Sequence, residues 1–410
     1  MQMRIICICI CDMYNCQQLN FQANRYRHFW SKHVKLRRIA QSTLFAATSV
    51  VMAQPALAVT DEEFKALQEQ LDMLAEQVEE NSANTGSSTT IGGYGELHYN
   101  NWRNDQGDTF KELDFHRFVL MINHEFNDDI RFFSEFEIEH AYIEDTDDGS
   151  STGYVAVEQA YVQFDLSENT TANAGIFLVP VGILNETHEP ATFYGVERNP
   201  VEKNIIPTTW SEAGAFLSGH YASGFSYDLA LSSGLDGGTN IRGGRQKGSN
   251  ATANNLAATA RARYTGVPGL VLAATAQYQD DMTQDTSDDI GSATLLEAHV
   301  RWGIADLTLT GLYAVWDIDV AATASQSDID KKKQDGGYIE ASYKLHPEWG
   351  VFARQHQWDN GGAGDTTKEQ TNIGFNYWPH EYVVLKADYQ IQNDVAGSFD
   401  GFNLGVGYQF

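Results

Sequence analysis

Two periodicities divide the chain. Between Thr60 and Glu80 the apolar residues Phe64, Leu67, Leu71, Leu74 and Val78 are spaced 3, 4, 3, 4. That is the a/d seam of a heptad repeat, and Asp61, Glu62 and Glu63 fall where the positive end of a helix dipole favours acids. The pattern predicts a short coiled coil over 59–80, associating with copies of itself; a single amphipathic helix resting on another surface is the other reading. Residues 81–90, rich in Ser, Thr, Asn and Gly, read as a flexible linker.

From Ile91 the period becomes two and stays so to Phe410. Sixteen strands are predicted, near 91–101, 112–125, 129–143, 154–166, 171–178, 213–222, 225–234 and 254–265, then near 270–280, 293–303, 306–318, 336–346, 349–359, 369–378, 382–393 and 400–410. In the last of these Phe402, Leu404, Val406, Tyr408 and Phe410 alternate with Asn403, Gly405, Gly407 and Gln409. A soluble sandwich would alternate equally well, so the decision comes from the connections. Short turns at 126–128, 167–170, 222–224, 266–269, 303–305, 346–348 and 379–381 alternate with long polar connections such as 144–153, 179–212, 235–253, 281–292, 319–335 and 360–368. Short turns on one side and long loops on the other are the pattern of outer-membrane barrels, and only closed barrels and helices satisfy the backbone in lipid. The predicted fold is therefore all-β: a transmembrane antiparallel β-barrel of about 16 strands over 91–410, preceded by a coiled-coil helix on the short-turn, periplasmic side. Tyr264, Trp302, Tyr343, Trp349, Trp378 and Tyr382 lie near the short turns, as an interfacial aromatic girdle would.

The first 58 residues behave differently. They hold all four cysteines, and Lys32, Lys35, Arg37 and Arg38 precede a weakly apolar run from Ile39 to Met52 that ends in Ala56-Leu57-Ala58. Charged region, short apolar region and small-residue cleavage site read as a secretory signal. The residues upstream of it fit either a native start at Val34 or a long leader. Seven of the 27 basic and one of the 55 acidic residues lie before Val59, so the chain from there on carries 20 and 54, a net charge of −34, and no cysteine. Such acidity excludes nucleic acid as a partner, and the missing thiols suit an oxidising envelope.

The stretch Gly175-Ile176-Phe177-Leu178-Val179-Pro180-Val181-Gly182, followed by Thr192-Phe193, Val196-Glu197-Arg198, Pro207 and Gly214, resembles the phosphate-selective porin O and P family. The Gly-rich opening Ile91-Gly92-Gly93-Tyr94-Gly95, the heptads and the terminal Tyr408 and Phe410, which resemble an assembly signal of outer-membrane barrels, agree with it. About sixteen strands leave an aqueous lumen, so a water-filled, homotrimeric pore for small hydrophilic solutes, without cofactor, is the leading reading; a plugged barrel that tethers the outer membrane through a periplasmic partner is the other. Phosphate-selective members carry closely spaced Arg and Lys along the constriction. Here Thr208-Thr209-Trp210-Ser211-Glu212 carries no basic pair, so the wider family is implied and the solute is left open.

A channel selects by what lines its narrowest part. The connection 179–212 is the longest, is stiffened by four prolines, and holds Ile183, Leu184, Phe193, Ile205 and Ile206, too apolar a set for a loop in water. It is expected to fold into the barrel, which makes Glu186, His188, Glu189, Glu197, Arg198, Glu202 and Lys203 the constriction candidates; a loop that caps the outer mouth or packs on a neighbour is the other reading. The polar sides of the strands give the wall candidates. Arg131, Glu135, Glu137 and Glu139 share one strand; Arg261, Arg263, Glu297, Arg301, Glu340, Lys344, Arg354, Lys386 and Asp388 come from later ones. If all point inward, an acidic side faces a largely basic one, unless local pairs (Glu297 with Arg301, Glu340 with Lys344, Lys386 with Asp388) mute the field.

No metal site is expected: the acidic runs 144–148 and 280–289 lack the spacing of a calcium loop. Together with Lys331-Lys332-Lys333 they suit contact with lipid and lipopolysaccharide. Gly149-Ser150-Ser151-Thr152-Gly153 has the letters of a nucleophile elbow but lies in a loop, so no enzyme is expected.

Overall fold

A computed structural model describes residues 88–141, 153–393 and 398–410. The upstream segment, the heptads, most of the linker and the acidic run 144–148 lie outside these residues. The first half of the described chain supplies β1 (Thr89–Asn104), β2 (Thr109–Glu125), β3 (Ile130–Glu139), β4 (Tyr154–Ser167), β5 (Thr170–Leu178), β6 (Ser211–His220), β7 (Phe225–Ser232) and β8 (Ala257–Tyr264). The second supplies β9 (Leu270–Gln279), β10 (Ile290–Ile304), β11 (Leu307–Val320), β12 (Lys333–His346), β13 (Trp349–Asp359), β14 (Lys368–His380), β15 (Val383–Asn393) and β16 (Phe399–Gln409). Two helical turns, α1 (Val201–Asn204) and α2 (Gln326–Asp330), lie in long connections.

Each strand pairs antiparallel with its sequence neighbour, and β16 returns to β1 to close the cylinder. The seam is tied at the last residue, where Phe410 N–H donates to the Gly93 carbonyl at 2.9 Å and Gly93 N–H donates back at 3.0 Å. Only glycine fits at position 93, because a Cβ there would stand 2.2 Å from the Val119 carbonyl oxygen. Closure of this kind leaves no sheet edge for lipid to meet.

The number of strands and the seven short turns agree with the periodicity. One connection does not: β1 and β2 run longer than expected and are joined by only 105–108. The barrel's exterior is apolar, with Leu272, Leu296, Ile339, Ile373, Leu385 and Val406 exposed. Trp378 departs from the predicted girdle. It shares register parity with the buried Asn372 and Asn376, so it points inward, packs edge-on against Tyr194 and lies under the Lys344 ammonium at 3.2 Å. Tyr377 takes the outward position instead and stacks on Trp349.

The interior is not uniformly polar. Leu295 on β10 and Leu312, Ala314, Trp316 and Ile318 on β11 point inward and are buried. Against them pack Val179, Val181, Val201, Ile205, Ile206 and Trp210 of the 179–210 connection, with Leu235, Ile241 and Met282 from the next two long connections. Three loops thus fold into the barrel and build a hydrophobic core within it, on the side of β10–β13. Burial of these apolar side chains, at about 25 cal/mol per Å² removed from water, is what draws a long connection out of solvent.

Candidate functional site

The core fills one side of the lumen, and the candidate passage lies on the other, between the infolded loops and β1–β4. It is a cavity of about 340 Å³. One side is acidic: Glu96, Glu139 and Glu158 from the strands and Glu197 from the connection 179–210. The other is basic: Arg198 and Lys203 from that connection, with Arg242, Arg245 and Lys247 from the connection between β7 and β8. His98, His116 and His140 line the same space, His98 and His116 stacked with ring centres 4.6 Å apart.

The connection 179–210 is held by contacts spread round the wall. Glu186 pairs with Arg261 on β8, which also binds Asp228 at 2.8 Å. His188 reaches Glu135 on β3 and Glu158 on β4, at 3.4 and 3.5 Å. Burial alone would lower its pKa, but the two carboxylates outweigh this and raise it to about 10. Farther along, Trp378 Nε1 donates to the Ala191 carbonyl, Asn376 to that of Phe193, Arg354 to that of Tyr194 and Lys386 to that of Gly195. The Val196 N–H donates to Asp388 at 2.8 Å, and Glu197 accepts from Asn100 at 3.0 Å and lies 3.1 Å from His98 Nδ1. Burial pushes the Glu197 carboxyl up, but His98 holds it well below the usual carboxylate range.

Glu202, fully buried, is the internal clamp. Its Oε2 accepts from the N–H groups of Ile183 and Leu184 at 2.7 and 2.6 Å, and its Oε1 from Tyr338 at 2.7 Å and Asn199 at 3.2 Å. Burial nevertheless raises its pKa above the ordinary value.

The constriction candidates therefore divide. Glu186, His188 and Glu202 bind the loop to the wall or to itself. Glu197, Arg198 and Lys203 face the passage. Glu189 is half-buried and no side-chain bond involves it among the described residues. Arg198 donates to Thr209 Oγ1 at 2.7 Å, while its Nε and Nη2 are buried without a hydrogen-bond partner among the described residues.

All thirteen wall candidates lie on the inward register of their strands, but their partners differ from those expected. None of the three same-strand pairs anticipated forms among the described residues; their members bond across strands, to loops or to a histidine. Glu340 pairs with Arg354 at 2.5 Å rather than with Lys344, Glu297 lies 2.7 Å from His299 rather than pairing with Arg301, and Lys386 and Asp388 both turn to the infolded loop. Arg131 pairs with Asp165. Arg261, Arg354 and Lys386 are spent on holding the loop, so the basic side of the passage comes from the loops and not from β8–β15. Arg263, Arg301 and Lys344 do not line the passage.

Sequence reasoning missed several residues that do. Arg117 on β2 is buried and binds Glu96 at 2.7 Å, Glu137 at 2.9 Å and Glu139 at 3.5 Å. Glu96 and His98 could have been found from parity, since they alternate with Leu97 and Tyr99. Arg242, Arg245 and Lys247 carry no periodic signal. Arg242 donates to the carbonyls of Lys203 and Thr208, and Arg245 to those of Pro207 and Thr209, so the two loops fold as one body. Burial first, then the charges of Arg245 and Arg198, brings the Arg242 guanidinium down to about 10; burial also lowers Lys203.

Comparison with known proteins agrees with this architecture. Residues 42–397 match the family model described as Gram-negative porin. An uncharacterised protein of Aquifex aeolicus (strain VF5) is 32% identical over 332 residues, which span 73% of this chain and 74% of that protein. Solved structures share the fold: an anion-selective porin from Comamonas acidovorans (TM-score 0.57, 11% identity, 79% of this chain and 100% of that one). OmpT of Vibrio cholerae (0.53, 13%, 80% and 99%) and the channel DcaP of Acinetobacter baumannii (0.52, 13%, 80% and 98%) share it too. With a family model matched along most of its length and a closed sixteen-stranded cylinder, the chain belongs to the Gram-negative porin family and is an outer-membrane channel.

Proposed function

We propose that the channel passes small hydrophilic solutes by diffusion and favours anions. One observation carries the reading. Six basic side chains (Arg117, Arg198, Lys203, Arg242, Arg245 and Lys247) line the passage against four carboxylates (Glu96, Glu139, Glu158 and Glu197), a local formal balance of +2 in a protein of net charge −28. Five of those cations pair with no described carboxylate, whereas Glu96, Glu139, Glu158 and Glu197 are each engaged by Arg117 or a histidine. Charges on loop tips and on the membrane-distal surface are screened within about 8 Å at physiological ionic strength, so the lining outweighs the total. The Comamonas acidovorans protein that shares the fold is an anion-selective porin, in keeping with this.

Reversal potential in a salt gradient across a planar bilayer tests it. The wild type is expected to reverse on the anion side, and Arg242→Gln with Arg245→Gln to move it toward the cation side. A cation-selective wild type would overturn the reading. A narrower version, a phosphate-type channel, is supported by the convergence of Arg198, Arg242 and Arg245 on one space; block of chloride current by low phosphate concentrations tests it. As organisation we propose a homotrimer in the outer membrane, its loops toward lipopolysaccharide, with 59–80 as a periplasmic coiled coil. Deleting 59–90 leaves conductance intact on this reading and abolishes it if the segment belongs to the pore; an envelope defect with normal conductance would favour a tether.

A further inference from the structure

We propose that Glu135, Glu158 and His188 bind one divalent transition-metal ion of the zinc class, which fastens the infolded connection to the acidic wall beside the passage. The site draws on three elements, β3, β4 and the connection 179–210, and its residues are 2%, 6% and 3% exposed. One ligand atom from each lies within 4.8 Å of the other two.

The separations are those of ligands rather than of hydrogen-bonded partners. His188 Nε2 stands 3.4 Å from Glu135 Oε1 and 3.5 Å from Glu158 Oε2. A charge-assisted hydrogen bond would draw such a pair to about 2.7–2.9 Å. Among the described residues neither His188 Nε2 nor Glu158 Oε2 has a hydrogen-bond partner, although both atoms are buried. Leaving buried polar atoms so is costly, and they point at each other's space. Ligand atoms about 2.1 Å from a tetrahedral ion stand about 3.4 Å apart, so an ion at the centre satisfies both.

The surroundings prepare the same state. His188 Nδ1 faces the Asn185 carbonyl at 3.3 Å, so Nδ1 keeps its proton and an ion would bind Nε2 by displacing the proton that the two carboxylates otherwise favour there. Gln159 donates to the outer oxygen of Glu135 at 2.8 Å, and the Tyr94 hydroxyl donates to its inner one at 3.2 Å. Charge points the same way. Arg117 is paired with Glu96, Glu137 and Glu139, and it and Arg198 act on Glu158 without pairing with it, so His188 is the one cationic partner within 4 Å of Glu135 and Glu158 among the described residues. A dipositive ion with two carboxylates and a neutral imidazole makes a neutral centre. Glu158 also lines the passage, which gives the ion an entry path and a water for its fourth position. One nitrogen and two oxygens suit zinc or its neighbours; calcium requires more oxygens than are present. The cluster of Asp114, His116 and His140 is different, because both ring Nδ1 atoms lie at 2.9 Å from Asp114 Oδ2 as ordinary hydrogen bonds.

The test uses the full chain folded in detergent, stripped with chelator and titrated with zinc chloride by calorimetry. Cobalt(II) serves as a second probe, read by its visible ligand-field bands. One zinc per protomer is expected, lost in Glu158→Gln and in His188→Gln and retained in Asp114→Asn. Heat-shifted mobility on gels verifies that each variant is a closed barrel. Should a variant fail to fold, the wild-type titration still decides. No saturable zinc binding by the wild type would mean that a proton alone bridges the three residues and would overturn the proposal; binding that survives in both folded variants would do the same. These readouts do not depend on ion preference, so the two proposals stand or fall separately.

Discussion

Removing the Glu202 carboxylate (Glu202→Ala) should release the loop while leaving the barrel standing. Four donors converge on this group, and three of them, Leu184 N–H, the Tyr338 hydroxyl and the Asn199 amide, belong to buried residues. Each donor stranded without an acceptor costs about 1–3 kcal/mol, about 3–9 kcal/mol for three. Lumen water entering the space left by the side chain recovers part of that, which leaves a loss on the order of 4 kcal/mol. At about 1.4 kcal/mol per tenfold, the population with the connection detached rises about a thousandfold. The sixteen ladders are untouched, so the effect is local. Hydrogen exchange at the Ile183 and Leu184 amides should quicken accordingly, and single-channel conductance should become larger and noisier. Glu202→Gln should fall between, because the amide keeps one acceptor oxygen but turns an NH₂ toward one of the two donor pairs; the Tyr338 hydroxyl can then accept. Tyr338→Phe, which removes one bond of the four, should be milder still. If Glu202→Ala exchanges at the wild-type rate and conducts like the wild type, docking of the connection rests on the wall contacts alone and the clamp assigned to Glu202 is wrong.

Three further expectations follow from the same loop. Burial raises the Glu202 pKa, so its protonated form is favoured in the docked state; the stability this contributes is complete below the ordinary carboxylate range and is lost as pH rises through the raised value. Exchange at Ile183 and Leu184, corrected for intrinsic rates, should therefore show looser docking at neutral than at acidic pH, and that slope should vanish in Glu202→Gln. Gly182 sits at φ +72°, with a hypothetical Cβ 2.7 Å from Glu202 Oε2, so Gly182→Ala should weaken docking by about 1–2 kcal/mol in the same exchange measurement. Trp210 is fully buried, donates to Glu212 at 2.9 Å and packs against Trp316. Trp210→Ala should cost about 3–5 kcal/mol, read as lost near-ultraviolet dichroism with gel mobility still that of a closed barrel.

The cylinder was legible in the sequence because a membrane strand has one solvent on each side, and side chains of period two record which is which. Parity alone puts every wall candidate from Arg131 to Asp388 on the polar side of its strand. The infolding of 179–210 was also legible, since Ile205 and Ile206 have no reason to stand in water. What parity cannot carry is pairing between elements far apart in sequence. The Glu340–Arg354 pair depends on the β12–β13 register, and the approach of His188 to Glu135 depends on where a connection of over thirty residues crosses the lumen. Arg242 and Arg245 escaped for the same reason, although Leu235, Ile241 and Met282 in nominally polar connections were a signal that those loops also turn inward. Along β10 and β11 alternation blurs, because Leu309 and Tyr313 meet lipid while Leu312 and Trp316 meet the loop core.

That inner core has a consequence for how the molecule matures. Its loop is gripped by Asn100 near one end of the chain and by Asp388 near the other, with Glu135, Arg261, Tyr338 and Arg354 between. These grips come together only once β16 has met β1. The docking surface is therefore a product of closure, and the connection settles after the cylinder is complete. On that order a newly closed barrel is expected to narrow in a second step, with Trp210 moving from water into the core as the natural reporter of that step.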